Sequence, residues 1–237
     1  MCVKCDAAVQ SRRQALGLGV MAAGAALLGS SAARAAGPHG PSLSPNEALE
    51  RLKAGNARFV ASPAACSLDM HNRRASVAQR QAPWATIVGC ADSRVPPELL
   101  FGGLGLGELF VARNAGNLVD TATLGTIEYG AIHLGSPVIV VLGHERCGAV
   151  AAACEAAVKG TKHPGAIGPM IAPIIPIARE MRGRAGDFID NTVRESAKRS
   201  ARRLTERSNL LTTLVDDKNL KIVAGRYDLD SGKVDFF

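Results

Sequence analysis

Three side chains that bind zinc well follow two apolar segments of the chain. Cys90 follows the run 85–89, and His144 and Cys147 follow the run 137–142. Two thiolates and one imidazole are a typical zinc donor set, and three protein ligands leave a fourth position open, as catalytic zinc requires. His144 and Cys147 lie three residues apart at the expected start of a helix, so one turn of backbone can direct both to one ion. The spacing therefore predicts a catalytic zinc site, since a structural site usually has four Cys or His ligands.

A fourth candidate ligand, Asp92, lies two residues after Cys90 and two residues before Arg94. A carboxylate beside a guanidinium can ligate a metal or pair with the arginine, but it cannot do both fully. If Asp92 pairs with Arg94, it stays ionised and can accept a hydrogen bond from a zinc-bound water. The residues alone leave both roles open for Asp92.

These motifs need a scaffold that brings two strand ends together. Strands alternate with helices along the chain, which predicts an α/β fold with a mostly parallel sheet covered by helices on both faces. The carboxyl ends of parallel strands meet at one edge, where α/β proteins place their sites. Ser44 and Glu47 have the spacing of a capping box before the first helix. The predicted strands are 85–89, 108–112, 137–142 and 220–224, with a hairpin over 226–236; the predicted helices are 45–61, 121–134, 146–159, 171–181 and 187–207; residues 62–81 are predicted to form a polar loop.

Length and composition narrow the function classes. A chain of 237 residues is long enough for one α/β domain with a substantial core. Aromatic residues make up only 4%, so a base-stacking nucleic-acid platform is disfavoured. The net charge of +7 does not by itself argue for nucleic acid. The basic run 198–207 lies on a predicted helix together with Glu195 and Glu206, which is typical of a solvated helix face. We therefore expect no nucleic-acid partner.

The first 35 residues have the pattern of an export signal. Arg12 and Arg13 precede a soft apolar run over 15–29, and an A-x-A site ends at Ala35. The paired arginines and the Ala/Gly-rich run indicate a twin-arginine signal. A membrane span needs roughly 20 strongly apolar residues, so no permanent anchor is expected. The predicted organisation is a signal peptide over 1–35, a linker over 36–44 and one domain over 45–237. The protein is expected to be periplasmic or otherwise exported. Cys2 and Cys5 lie in the signal and are interpreted as incidental.

Two motifs resemble those of a known family. Residues 90–94 read C-A-D-S-R, and residues 143–149 read G-H-E-R-C-G-A. Together they are similar to the β-class carbonic anhydrases. The resemblance covers residues 44–237, through four further segments: 47–59, 109–117, 127–130 and 227–233.

The resemblance implies a zinc lyase that hydrates CO₂ reversibly to bicarbonate and a proton. Cys90, His144 and Cys147 would hold one Zn²⁺ per chain. Asp92 and Arg94 would form a catalytic dyad that controls the fourth zinc position, and Asp92 is also a metal-ligand candidate. Zinc lowers the pKa of its water, and the resulting hydroxide would attack CO₂. The family also implies four parallel strands with an antiparallel edge strand, assembled as homodimers or higher even oligomers.

Two other functions remain open on the same residues. A zinc hydrolase of CS₂ or COS would use the same fold and metal, and only the channel to the metal would distinguish it. A zinc-binding protein without turnover would have no use for the pair Asp92 and Arg94.

Some relatives in this family have a bicarbonate pocket with a Trp at the position of Ile87. Because this chain has Ile there instead of Trp, the sequence argues against that pocket.

Overall fold

The computed structural model describes residues 43–65 and 71–237. The signal segment predicted for residues 1–35, with Cys2 and Cys5, lies outside the described residues. So do Cys66 and most of the linker predicted for 36–44. The boundaries of the signal and the linker therefore stay predictions.

Five strands form a single sheet in the order β2-β1-β3-β4-β5. The first four strands pair in parallel, and β5 pairs antiparallel with β4 at one edge. This arrangement confirms the predicted fold class of four parallel strands with an antiparallel edge strand. The strands are β1 Ala85–Cys90, β2 Leu109–Asn114, β3 Val138–His144, β4 Lys221–Tyr227 and β5 Val234–Phe236.

Helices connect and cover the strands. They are α1 Pro45–Ala61, α2 His71–Val77, α3 Pro97–Leu100, α4 Thr121–Ile132, α5 Gly148–Lys159, α6 Ile167–Ile171, α7 Ile175–Met181, α8 Phe188–Arg207 and α9 Asn209–Asp216. The prediction of a loop over 62–81 is wrong at α2, a helix without apolar periodicity. A tertiary contact supports α2, because Arg73 Nε donates a hydrogen bond to the carbonyl oxygen of Leu106 at 3.1 Å.

The first helix begins where the sequence predicts it. The backbone N–H of Glu47 donates to Ser44 Oγ at 3.3 Å, and the N–H of Ser44 donates to Glu47 Oε2 at 2.8 Å. Pro45 occupies the first turn, where its missing N–H costs no hydrogen bond. The capping box is thereby confirmed, and α1 packs its buried face against the sheet through Leu49 and Leu52.

The two central strands lie in the core. Every residue of β1 and of β3 is buried, as expected for parallel strands covered on both faces. On α8 the charged face is solvated and paired, because Arg199 contacts both Glu180 and Glu195. Within residues 43–65 and 71–237, no helix combines the length and the apolar character needed to cross a bilayer.

Candidate metal centre

The ends of β1 and β3 lie side by side. The two strands pair in parallel with Gly89 opposite Leu142, so their carboxyl ends open on the same edge of the sheet. Cys90 is the last residue of β1 and His144 is the last residue of β3. Cys147 follows after a tight turn and caps the N-terminus of α5. The topology therefore brings all three predicted zinc ligands to one edge.

The three ligand atoms form one compact group. Each atom lies within 4.8 Å of the other two, and the sulfur atoms of Cys90 and Cys147 are 4.0 Å apart. Zn–S bonds of about 2.3 Å in a tetrahedron place two sulfurs roughly 3.8 Å apart, so this spacing fits one ion. The residues are 5%, 0% and 1% exposed for Cys90, His144 and Cys147. Apolar side chains surround the two cysteines, namely Val150, Ala153, Ile171, Ile174, Ala178 and Val193.

The imidazole of His144 is oriented for a metal. Its Nδ1 lies 2.9 Å from the carbonyl oxygen of Glu145, and because a carbonyl only accepts, Nδ1 carries the ring hydrogen. The lone pair therefore lies on Nε2, which is buried and has no hydrogen-bond partner in the described residues. A buried polar atom without a partner is costly, and a metal ion would satisfy it. The donor set and this unpaired nitrogen fit a bound zinc ion.

The two thiols have different proton affinities. A hydrogen bond shared with Cys147, with a further one from the N–H of Gly116, lowers the pKa of Cys90. The same contact with the Cys90 thiolate raises the pKa of Cys147, and burial adds to this effect. The hydrogen bond between the two sulfur atoms carries a thiol proton, and either sulfur can be its donor. Metal binding requires thiolates, so loading the site must release this proton.

The carboxylate of Asp92 is held by Arg94 at the edge of this group. Arg94 Nε donates to Oδ1 at 2.9 Å and Nη2 donates to Oδ2 at 2.7 Å, and the backbone N–H of Arg94 adds a third bond at 3.0 Å. These bonds, those from the guanidinium foremost, lower the pKa of Asp92. Asp92 Oδ2 lies 3.8 Å from Nε2 of His144. The structure thus brings Asp92 next to the three ligands but in the arginine-paired arrangement.

A buried arginine that the sequence analysis missed supports the histidine loop. Arg226 on β4 is 7% exposed and pairs with Asp190, Asp228 and Glu145. Glu145 is also fixed through its N–H, which donates to Tyr227 O at 2.8 Å. A charged residue inside an otherwise apolar strand was the signal that marks such a position, because arginine is rarely buried unless it is paired.

A second acidic group lies beside the first. Glu145, Asp228 and Asp230 offer oxygens within 4.8 Å of one another. Each of them pairs with Arg146 or Arg226. Two guanidinium groups thus pair with the three carboxylates, and the geometry of the cluster is that of an ion-pair network.

Cys154 does not join the centre. It is a free thiol on α5, buried against Thr192, with Sγ 3.5 Å from Oγ1. Cys66, the remaining cysteine after the first 35 residues, lies outside the described residues.

Comparisons with known proteins identify chains that are similar to this one. A family model described as carbonic anhydrase matches residues 85–234. Carbonic anhydrase 2 of Mycobacterium tuberculosis is 39% identical over 197 residues, which are 81% of this chain and 93% of that protein. The carbonic anhydrase of Mycolicibacterium smegmatis is 37% identical over 195 residues, covering 82% and 94% of the two chains.

Solved structures resemble the fold as well. A β-carbonic anhydrase of the fungus Aspergillus fumigatus superposes with a TM-score of 0.63 at 25% identity, covering 81% of this chain and 89% of that one. The β-carbonic anhydrase of Coccomyxa, solved in complex with acetazolamide, gives a TM-score of 0.59 at 30% identity, with 68% and 74% covered.

Proposed function

This chain is an enzyme that belongs to the β-class carbonic anhydrases, and we propose that it catalyses the reversible hydration of CO₂ to bicarbonate and a proton. One zinc ion is held by Cys90, His144 and Cys147. The observation that carries the proposal is the meeting of two buried thiols with an unpaired imidazole nitrogen, beside a carboxylate that is already paired. This arrangement supports a metal with an exchangeable fourth position, as hydration requires.

When bound, zinc supplies a water of lowered pKa, about 7 in the best-known cases, and so makes a nucleophile available at neutral pH. The chain's own residues orient the reaction. The Oδ2 atom of Asp92 lies 3.8 Å from Nε2 of His144, so this carboxylate would accept a hydrogen bond from a water on a metal held by the three proposed ligands. Because its pKa is lowered by Arg94, the carboxylate stays ionised and accepts a hydrogen bond without taking the proton permanently. The proton released by the reaction then passes to buffer.

The pairing with Arg94 also keeps Asp92 available for this role. Both carboxylate oxygens accept hydrogen bonds from the guanidinium. To become a metal ligand, Asp92 would have to give up at least part of this two-pronged contact, which is among the stronger hydrogen-bonded pairs in proteins. The dyad would therefore leave the fourth position of a bound zinc ion open to water and substrate.

The test is stopped-flow CO₂ hydration by the zinc-loaded protein, with zinc measured on the same sample. Asp92→Asn should keep zinc and lose activity by about 10²–10⁴-fold, because a positioned proton acceptor typically contributes that much. Asp230→Asn is a matched control, since Asp230 is likewise paired with an arginine but lies outside the three-ligand group.

Several outcomes would contradict the proposal. Wild-type turnover by Asp92→Asn removes Asp92 from the mechanism. Hydrolysis of CS₂ or COS without CO₂ hydration assigns the site to a different substrate. Zinc binding without turnover of any of the three would indicate a binding protein.

We also propose that the enzyme is exported after folding, by the twin-arginine machinery. Supporting this are Arg12 and Arg13 and the two zinc thiolates, because an oxidising periplasm would trap free thiols as disulfides if the chain crossed unfolded. Arg12→Lys combined with Arg13→Lys should leave zinc-loaded, active enzyme in the cytoplasm. Undiminished periplasmic activity in cell fractions would show that the signal is of another type.

We further propose that the enzyme assembles in even numbers of copies. On α4, Tyr129 and Ile132 are 49% and 37% exposed, and the ring of Tyr129 lies 6.2 Å from that of Phe110 on the edge strand β2. An apolar patch of this kind is typical of a protein interface. Two β-carbonic anhydrases of Sordaria macrospora with this fold are tetrameric. Light scattering that gives a monomer at micromolar concentration would contradict the assembly.

A further inference from the structure

One exposed arginine on the edge strand reaches the backbone of the zinc-ligand loop. Arg113 lies on β2, opposite Gly89 of β1. Its Nε donates to the carbonyl oxygen of Cys90 at 2.7 Å, and its Nη2 donates to that of Asp92 at 2.6 Å. The guanidinium thus bridges the two carbonyls on either side of Ala91.

Within the described part of the chain, these two hydrogen bonds are the polar contacts of the Arg113 guanidinium. No carboxylate among those residues lies within salt-bridge distance of Arg113, whereas Arg94 is paired with Asp92 and Arg146 with Asp230. A planar guanidinium with fixed N–H directions matches two oxygens at once, which lysine cannot do. The geometry therefore assigns the side chain to the loop and to no other partner.

The bridged segment carries both parts of the proposed chemistry. Cys90 is a metal ligand, and Asp92 is the carboxylate that faces His144. The N–H of Ala91 donates to the carbonyl of Asn114 at 3.0 Å, so β2 holds backbone groups of three consecutive residues. The N–H of Val95 also donates to the carbonyl of Asp92 at 3.1 Å, and the guanidinium of Arg113 donates both to this carbonyl and to that of Cys90. By fixing both carbonyls, Arg113 restrains the backbone from which the carboxylate of Asp92 extends.

We propose that Arg113 is a positioning residue that holds Asp92 in its arginine-paired orientation and away from the metal's open position. This inference rests on the proposed function. With Arg113 removed, the loop can rotate about Ala91, and the Asp92 carboxylate then competes for the open position. The enzyme keeps its three ligands but is partly closed by its own carboxylate.

The experiment compares Arg113→Gln and Arg113→Lys with the wild type, each loaded with Co²⁺ or Zn²⁺. The visible spectrum of the Co²⁺ protein and X-ray absorption at the zinc edge report the ligands. In Arg113→Gln we expect a gain of carboxylate oxygen at the metal and a CO₂ hydration rate reduced about 10-fold or more, the size typical of residues that orient a metal site. Arg113→Lys should keep at most part of the wild-type rate, because lysine retains the positive charge but cannot donate to both carbonyls in the same geometry. Arg207→Gln is the matched control, since Arg207 also donates to a backbone carbonyl, that of Val119 at 3.0 Å, but at the far end of α8.

A double-mutant cycle with Asp92→Asn separates positioning from general support. If Arg113 acts through Asp92, the double variant should be no slower than Asp92→Asn alone. A merely structural role would instead make the rate losses of the two single variants multiply in full in the double variant. That result, with a lower melting temperature and an unchanged metal spectrum, would overturn the proposal. An unchanged spectrum and rate in Arg113→Gln would overturn it as well. Failure of the wild type to hydrate CO₂ would instead overturn the proposed function, while the metal spectra would still report where Asp92 lies.

Discussion

The loop after β1 is held by exposed groups, whereas the loop after β3 is tied to a buried one. Asp92 in the first loop is fixed by Arg94, whose side chain is 52% exposed, and by Arg113 from the edge strand. In the second loop, Glu145 contacts Arg226, whose side chain is 8% exposed. Exposed ion pairs contribute little to stability and are easily exchanged with water, whereas a buried pair is costly to break.

This difference matches the tasks of the two loops. The end of β3 and the loop after it carry two of the proposed zinc ligands, His144 and Cys147, which must stay in place. The N–H of Leu229 donates to Glu145 Oε2 at 3.1 Å, so the β4–β5 connection is tied to the same loop. The end of β1 and its loop carry the third proposed ligand, Cys90, and the carboxylate of Asp92, which is proposed to act beside the substrate. The more rigid part of the site thus lies at the end of β3, and the more adjustable part lies at the end of β1.

The largest effect should come from removing a ligand, since this tests whether both loops serve one ion. Cys90→Ala and Cys147→Ala should each lower zinc from about one per chain to a small fraction. The zinc affinity of each variant should fall by more than the 10–100-fold that is typical when a residue that only orients a ligand is changed. Metal analysis after dialysis checks this. Cys154→Ala is the control, because Cys154 is also a buried thiol on α5 but lies outside the ligand group; full zinc in both ligand variants would refute the set.

An intermediate effect should follow from breaking the buried anchor. Arg226→Met leaves Asp190, Asp228 and Glu145 without their shared cation, and removing one partner of a buried pair typically costs about 3–5 kcal/mol. Arg113→Gln, on the exposed side, loses hydrogen bonds from a charged group to two backbone carbonyls and should cost less, about 1.5–3 kcal/mol. Urea unfolding of the metal-free proteins measures both free energies without the contribution of zinc. Equal losses in the two variants would remove the contrast between the loops.

Much of this architecture was predictable because local signals and tertiary packing agree. The strands β1 and β3 are continuous apolar runs, and the polar residues that follow them mark the site edge. The capping box at Ser44 fixes the start of α1. The family-like motifs, in turn, pointed to the ligands and to the dyad.

The missed features depend on partners that are distant in the sequence. β2 continues to Asn114 and β4 to Tyr227, beyond the predicted ends at 112 and 224, because polar side chains there find hydrogen-bond partners in other elements, as Asn114 does with Thr123 and Arg226 with Asp190. Arg226 is tolerated inside a strand since Asp190, 36 residues away, accepts its Nε hydrogen at 2.7 Å. No pattern in the sequence around Arg226 predicts a partner at that distance along the chain. The helix α2 escaped prediction for the same reason.

The smallest expected effect is a pH dependence on the buried side. Hydrogen bonds from the N–H of Ser231 and from Arg226 lower the pKa of Asp228. A carboxyl whose pKa is lower in the folded state than its unfolded value of about 3.9 adds stability above that pH, and loses it as the pH falls toward the folded value. Asp228→Asn should therefore cost about 1.5–3 kcal/mol at pH 7, the range for hydrogen bonds to charged groups, and progressively less below pH about 4. Urea unfolding of metal-free protein across this range measures the difference, with the exposed Asp216→Asn on α9 as the control. A cost that stays constant down to pH 3 would mean that the Asp228 charge does not support the loop, and the anchor would then rest on Asp190 and Glu145 alone.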